Sequence, residues 1–141
     1  RVAFAEADYA AISPRNKGFA ALGSSRFLTD GTEPAAIHAA LAPESGEEVF
    51  RKVRVGAFST TNLETRLKAR GIDTLVLTGI ATSGVVLSTV REGADRDYRL
   101  IVLADCCADV DAEVHRVLTE KVFPRQADVM GFEDFQHLFA G

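Results

Sequence analysis

Residues 73–80 read Asp-Thr-Leu-Val-Leu-Thr-Gly-Ile, and this nearly continuous apolar run decides the fold class. Such a run is typical of a parallel strand that is buried on both faces of its sheet. A helix is predicted just before it, over Asn62–Arg70, and Gly71 is able to adopt the positive φ of a helix C-terminus. The chain is therefore expected to pass directly from a helix into a buried strand.

Helical and extended patterns alternate on both sides of this strand. Upstream, we predict a long connection with a short helical turn over residues 8–34, a short helix over 35–41 and a strand over 49–55. Downstream, the predicted elements are a helix from Thr82 or Ser83 to about Arg96, a strand Arg99–Ala104, a helix capped by Asp109 or Asp111, a strand Ala127–Met130 and a helical turn Glu133–Phe139. The alternation predicts an α/β fold, a three-layer α/β/α sandwich with a mainly parallel sheet, in a single domain spanning residues 1–141.

Composition narrows the possible classes of protein. The 141 residues carry a net charge of −4 and are 47% hydrophobic, which excludes an intrinsically disordered chain. The apolar runs fall well short of the roughly 20 residues that a bilayer-spanning helix needs, and no signal peptide is visible. The mild acidity argues against a nucleic-acid partner. Two adjacent cysteines do not make a disulfide framework, so we expect a cytoplasmic protein. Charge and apolar run length together predict no nucleic-acid partner and no membrane partner.

The segment Ala81-Thr82-Ser83-Gly84-Val85 follows the central strand and enters a helix. In a parallel sheet, ligands bind beyond the carboxyl ends of the strands. Free N–H groups at this turn could stabilise a bound anion or a developing oxyanion. The alternative, which the residues alone favour, is that Thr82 or Ser83 only caps the helix.

Three side chains allow both a chemical and a purely structural interpretation: the lysine Lys52 and the adjacent cysteines Cys106 and Cys107. A lysine inside a buried sheet is costly unless it is paired, but spacing alone favours a solvated lysine on an edge strand. A reactive thiol needs a lowered pKa, and a small buried cysteine is the commoner case.

The remaining polar residues predict neither a metal site nor a cofactor site. The three histidines, His38, His115 and His137, lack metal-ligand spacing, and His115 is expected on the protein surface. Asp105 is expected to anchor a loop. Because glycine-rich nucleotide motifs are absent from the sequence, we predict no cofactor.

Three stretches together resemble the isochorismatase-like hydrolases. Lys52–Leu63 matches the family pattern K-x-x-x-x-A-F-x-x-T-x-L. Gly71–Thr82 matches the next family pattern, G-(I/V)-x-T-L-(V/I)-(V/L)-x-G-(I/V)-x-T, which contains a strand and the threonine that follows it. Asp95–Ala108 matches the next helix-to-strand unit, although Asp97 stands where the family often has Gly. The resemblance runs from about Val49 to Phe135, and its order and spacing are specific.

The resemblance implies roles for particular residues. Lys52 matches the catalytic lysine, Ile80–Ala81 a cis peptide bond that helps to build the oxyanion site, and Thr82 the motif threonine. The position of the nucleophilic cysteine holds Val85, which has no nucleophilic atom, so the thioester route to amide hydrolysis is doubtful here. The implied function is hydrolysis of a small-molecule substrate, either a vinyl ether or an amide-type compound. The alternative is a catalytically degenerate relative that binds a small ligand or serves as an oligomeric interaction protein.

The resemblance also implies what surrounds this stretch of chain. The family commonly forms homo-dimers or tetramers, so a homo-oligomer is expected. Arg1–Phe4 resembles the end of the family's second strand, and the acid–base aspartate of the family would lie upstream of it. We therefore expect the 141 residues to lack the first strand–helix unit of the fold.

Overall fold

Two short helices, Glu6–Ala10 (α1) and Lys17–Ser25 (α2), lie in the first of the chain's two compact units, Arg1–Arg54. The structure is a computed structural model that describes residues 1–138. The sequence predicts a long connection with a short helical turn over residues 8–34, and this is wrong at α2. The weak apolar periodicity of α2 gives no signal for a full helix. Its start is set by Asn16, whose Oδ1 accepts a hydrogen bond from the N–H of Phe19 at 3.2 Å.

The alternating residues 49–55 do not form the predicted strand. Pairing in this stretch is confined to an isolated parallel bridge between Val2 and Lys52. The N–H of Lys52 donates to the carbonyl of Arg1 at 2.9 Å, and the N–H of Ala3 donates to the carbonyl of Lys52 at 3.2 Å. The pattern thus identified extended chain, but a ladder also needs a neighbour that stays alongside, which sequence periodicity does not report.

The short helix predicted over residues 35–41 is also absent. Its place is taken by two 3₁₀ turns, Glu33–Ala35 and Ala39–Leu41, separated by residues 36–38, of which Ala36 is extended. Leu41 is 75% exposed, so this stretch has little apolar contact with which to stabilise a helix. Short helices are marginal in water without such packing.

A parallel sheet organises the second compact unit, which begins at Val55. Its strands are Thr74–Ile80 (β1), Arg99–Ala108 (β2) and Asp128–Met130 (β3), in the order β1-β2-β3. The helices of this unit are Leu63–Ala69 (α3), Leu87–Ala94 (α4), Ala112–Val117 (α5) and Phe132–His137 (α6). The α/β class and the parallel sheet are confirmed. The predicted terminal helix begins one residue early, at Phe132, and its predicted end at Phe139 lies outside the described residues.

Irregular helical turns extend two of these helices. A π-helical turn, Thr82–Val86, precedes α4, and a second, Leu118–Val122, follows α5 and leads into the 3₁₀ turn Phe123–Arg125. Within residues 1–138, no helix has the length and apolar character needed to cross a bilayer.

The core of the second unit lies beside β2. Leu100 and Val102 from β2 pack with Val90 from α4 and with Phe123, and all four are almost fully buried. Burying side chains of this size stabilises the fold by about 1.5–3 kcal/mol each. The helical spacing of Val86 and Val90 is therefore the spacing of a core-facing stripe.

β1 is more exposed than the sequence predicts. Along it, burial alternates, and Val76 and Ile80 are 43% and 77% exposed. In the described sheet β1 lies at an edge and pairs with β2 alone, whereas Leu100–Leu103 of the central strand β2 are buried on both faces. Burial on both faces is thus right for β2 and wrong for β1.

A break in register between β1 and β2 shapes the carboxyl end of the sheet. Leu77 pairs with Val102 and Gly79 with Cys107, so between these pairs one residue of β1, Thr78, faces four residues of β2, 103–106. The extra residues of β2 form a bulge that contains Asp105. Both carboxylate oxygens of Asp105 accept the N–H of Phe132 at 3.0 Å, which confirms the predicted loop anchor.

Two residues that connect the elements have left-handed backbone, which the sequence predicts for Gly71. Gly71, after α3, has a φ of 64°, and Asp97, before β2, has a φ of 62°. A Cβ on Gly71 would meet no atom within 4 Å, so a substitution there changes the backbone energy without a steric clash.

We expect Gly71→Ala to lower the free energy of unfolding by about 1 kcal/mol, because alanine disfavours positive φ. Gly71→Asn is the matched control, since asparagine tolerates this conformation, and it should lose clearly less. Urea denaturation of the two variants measures both values. Equal losses would contradict a conformational origin of the effect.

Candidate functional site

The chain turns at the carboxyl end of β1 through a cis peptide bond between Ile80 and Ala81. Ala81 is extended, and the π-helical turn Thr82–Val86 begins at the next residue. Ile80 is largely exposed, whereas Thr82 is fully buried. The cis geometry is the one that the family resemblance implies, and its role in an oxyanion site stays a prediction.

Thr82 does not cap the helix, contrary to one interpretation of the sequence. No side-chain cap is present at this turn, and Thr82 Oγ1 lies 2.8 Å from Nδ1 of His115 in α5. His115 is half-buried, so the expectation of a surface histidine was wrong. The two residues are 33 positions apart, and nothing in their local patterns indicates the contact.

Ser83 is held by the loop that follows β2. Its N–H donates to Oδ2 of Asp109 at 2.7 Å. Hydrogen bonds from the side chain and the N–H of Ser83 hold the pKa of Asp109 below its usual range. The helix α5 is capped by Asp111 instead, whose Oδ1 accepts the N–H groups of Glu113 and Val114.

The turn therefore offers fewer free donors to an anion than the sequence suggests. The N–H of Ser83 is bound to the Asp109 carboxylate, and that of Gly84 donates to the carbonyl of Ala81 at 3.0 Å. A carboxylate beside the first N–H groups of a helical turn is also favoured by their positive partial charge. The protein thus supplies its own anion at this point.

Val85, at the position that the resemblance assigns to a nucleophile, is partly buried and packs against the core. It lines a cavity of about 370 Å³ whose walls also come from α3, β1 and α4. The lining is mostly apolar. It includes Thr89, whose buried Oγ1 has no hydrogen-bond partner among the described residues. Within residues 1–138, the lining contains no cysteine, serine, histidine, lysine or carboxylate side chain.

The two cysteines have environments that suppress the thiolate. Cys106 is exposed and Cys107 is buried. Desolvation raises the pKa of the Cys107 thiol, with a smaller contribution from the neighbouring Cys106 and Asp105. The pKa of Cys106 is raised as well, by desolvation and by the negative charge of Asp105. A reactive thiol is therefore not supported at either position.

Lys52 belongs to the first compact unit and is described within it. Its side chain is only 8% exposed, and Nζ donates to the carbonyl of Arg54 at 3.1 Å. Desolvation lowers the pKa of the Lys52 ammonium. The expectation of a solvated edge lysine was therefore wrong, because the isolated bridge to Val2 places this residue inside the unit.

The neighbours of Lys52 are bound in different ways. Arg51 makes an ion pair with Asp8 at 2.5 Å, and the guanidinium of Arg54 lies 5.5 Å from the centre of the Phe19 ring. Among residues 1–138, no group of three or more His, Cys, Asp or Glu side chains is arranged to hold a metal ion.

Comparison with known proteins bears on both halves of the chain. Residues 2–134 match the family model described as the isochorismatase domain. The chain is 41% identical over 114 residues to a ureidoacrylate amidohydrolase of Methylobacterium radiotolerans, covering 78% of this chain and 44% of that protein. It is 32% identical over 107 residues to a maleamate amidohydrolase of Pseudomonas putida, covering 76% of this chain and 50% of that one.

A solved structure shares the fold. The N-carbamoylsarcosine amidase of Thermoplasma acidophilum superposes with a TM-score of 0.69 at 29% identity, covering 84% of this chain and 66% of that one. The chain spans between about a third and a half of the length of the curated relatives it matches.

We expect the contact between Ser83 and Asp109 to make stability depend on pH in the acid range. Because the pKa of Asp109 is lowered by folding, the unfolded chain takes up the proton first as the pH falls. The stability from this carboxylate is therefore present above its unfolded pKa of about 3.9 and is lost below it. Asp109→Asn should unfold more easily than the wild type at pH 7, and the difference should shrink as the pH falls below 4.

Urea unfolding of the wild type and Asp109→Asn between pH 7 and pH 3 measures this dependence. Asp134→Asn, which changes an exposed carboxylate outside this contact, is the control. A difference for Asp109→Asn that does not vary with pH would argue against an ionised acceptor for Ser83.

Proposed function

We propose that this chain, which belongs to the isochorismatase family, acts as a hydrolase on a small-molecule substrate with an amide-type bond. The observation that carries the proposal is the 41% identity to a ureidoacrylate amidohydrolase across most of this chain. The names of two further relatives, a maleamate amidohydrolase and an N-carbamoylsarcosine amidase, point to the same bond type. No cofactor enters the proposal.

The proposed route runs without a covalent intermediate. Val85 has no nucleophilic atom, and the pKa values of both cysteines are raised. None of these residues therefore supplies the thiolate that a thioester intermediate requires. Water would add directly to the carbonyl carbon, after which the C–N bond breaks and the amine leaves with a proton. This step is distinct from the thiolate chemistry that the family resemblance implies for members that carry the cysteine.

Lys52 is the proposed catalytic lysine. Lysine is rarely buried without a specific task, and here burial lowers the pKa of the ammonium. The family pattern assigns the backbone at Ile80, Ala81 and Thr82 to the stabilisation of the developing oxyanion. Both assignments rest on matching motif positions.

Val85 also favours a second candidate, hydrolysis of a vinyl ether. That reaction requires protonation of the alkene and attack by water, and it needs no thiolate.

A homo-dimer or tetramer is part of the proposal by resemblance, and light scattering would measure it. We further propose that both compact units belong to one domain, because the family match runs from residue 2 to residue 134.

The decisive experiment is turnover by the full-length protein of ureidoacrylate, maleamate, nicotinamide and isochorismate. We expect hydrolysis of an amide-type compound, and Lys52→Ala should lower kcat/KM by about 10³-fold, the scale for removing one electrostatic stabiliser. Lys68→Ala is the matched control, because Lys68 is an exposed lysine on α3 paired with Glu64. It should retain wild-type activity.

Two results would contradict the proposal. Persistence of activity in Lys52→Ala would remove the role of this lysine. Tight binding of a small molecule without turnover would instead support the alternative of a ligand-binding relative.

The proposed route also predicts resistance to thiol alkylation. Iodoacetamide at pH 7 should leave kcat/KM within about twofold of the untreated value, because raised thiol pKa values keep the thiolate population low. Mass spectrometry should detect no acyl-enzyme, and hydroxylamine should trap none. Loss of activity in step with modification of one cysteine would establish a thiolate route instead.

A further inference from the structure

His115 makes a contact that the proposed function does not use. It lies on α5, after the next strand along the chain, and its Nδ1 is 2.8 Å from Oγ1 of Thr82. Thr82 lies one residue beyond the cis peptide bond, after Ala81, and is fully buried. A half-buried histidine thus contacts the side chain of Thr82, a residue of the proposed oxyanion segment.

The direction of this hydrogen bond follows from burial. Water does not reach the Thr82 hydroxyl, and its one hydrogen-bond partner within residues 1–138 is Nδ1 of His115. A buried hydroxyl proton left without an acceptor is costly, so the hydroxyl donates and Nδ1 accepts. With Nδ1 of His115 as the acceptor, the ring proton is left on Nε2.

The histidine itself is held in place by its helix. Asp111 caps the first turn of α5, and Thr119 donates its hydroxyl to the carbonyl of His115 at 2.9 Å. Asp109, from the loop before α5, binds the N–H of Ser83. Two successive residues after the cis bond are therefore fastened to one short stretch of chain, residues 109–115.

We propose that His115 is a positioning residue, which holds the backbone of Ala81 and Thr82 in a fixed orientation through the Thr82 hydroxyl. Its purpose in catalysis rests on the proposed function, in which this backbone stabilises the oxyanion. Because His115 does not touch the reacting atoms in this proposal, it should influence the chemical step more than substrate binding. Misplacement of a reacting geometry by about 1 Å costs on the order of 10²-fold in rate.

The kinetic test compares two substitutions of similar shape in the full-length protein. His115→Asn keeps an acceptor in the place of Nδ1, whereas His115→Leu removes it. We expect His115→Leu to lower kcat by about 10²-fold with KM nearly unchanged, and His115→Asn to restore most of kcat. His137→Leu, which alters an exposed histidine on α6, is the control and should have no effect.

Thr82→Val provides an independent approach if His115→Leu does not fold. It removes the donor of the same hydrogen bond and should lower kcat as His115→Leu does. The double variant should be no worse than either single one, because both delete one interaction. Equal losses in His115→Leu and His115→Asn, or multiplied losses in the double variant, would overturn the proposal.

A measurement without substrate separates this inference from the proposed function. Nitrogen-15 NMR of the imidazole should show an unprotonated Nδ1 and a protonated Nε2, with a slowly exchanging Thr82 hydroxyl proton. The amide signals of Ala81, Thr82 and Ser83 should shift in His115→Leu and stay near wild type in His115→Asn. If the chemical shifts of these amides stay at their wild-type values in both variants, the positioning role is refuted. If the spectra agree while every substrate fails, the proposed hydrolysis is refuted instead.

Discussion

The parallel ladder between β1 and β2 is the interaction on which the candidate site depends. Its regular part, from Thr74 with Arg99 to Leu77 with Val102, aligns the two strands around a buried core. The ladder then loses register, because four residues of β2 lie opposite one residue of β1. This offset brings Gly79 opposite Cys107, so the segment after β1 meets the loop and helix that follow β2.

That meeting explains the electrostatics of the turn. An isolated helical turn presents N–H groups with positive partial charge, which favour an anion. Here the Asp109 carboxylate already occupies this place at Ser83, and His115 takes the hydroxyl of Thr82. The site is thus built from neutral or internally compensated contacts, which fits a segment whose role is to keep its backbone in one geometry. Lys52, by contrast, is a buried cation whose pKa is lowered by desolvation.

Local sequence was most informative where a single segment determines its own conformation. The run from Thr74 to Ile80 and the end of α3 at Gly71 could both be predicted from residue type and spacing. Residues 49–55 and 35–41 could not, because a strand needs a paired neighbour and a short helix needs a face to bury. Asn16 at the start of α2 was the one available signal for that helix, and it is a weak one without apolar periodicity.

The sequence by itself determined the α/β class, the parallel strands and the family, because apolar periodicity and motif spacing are properties of neighbouring residues. The family resemblance also implies that Val85 stands at the position of the nucleophile, which stays a prediction. Only the tertiary structure decided that Lys52 is buried, that Thr82 bonds His115 rather than capping its helix, and that Ser83 binds Asp109. These contacts join residues far apart in the chain, and they exist because the sheet register brings those residues within hydrogen-bond distance or because packing removes a side chain from water.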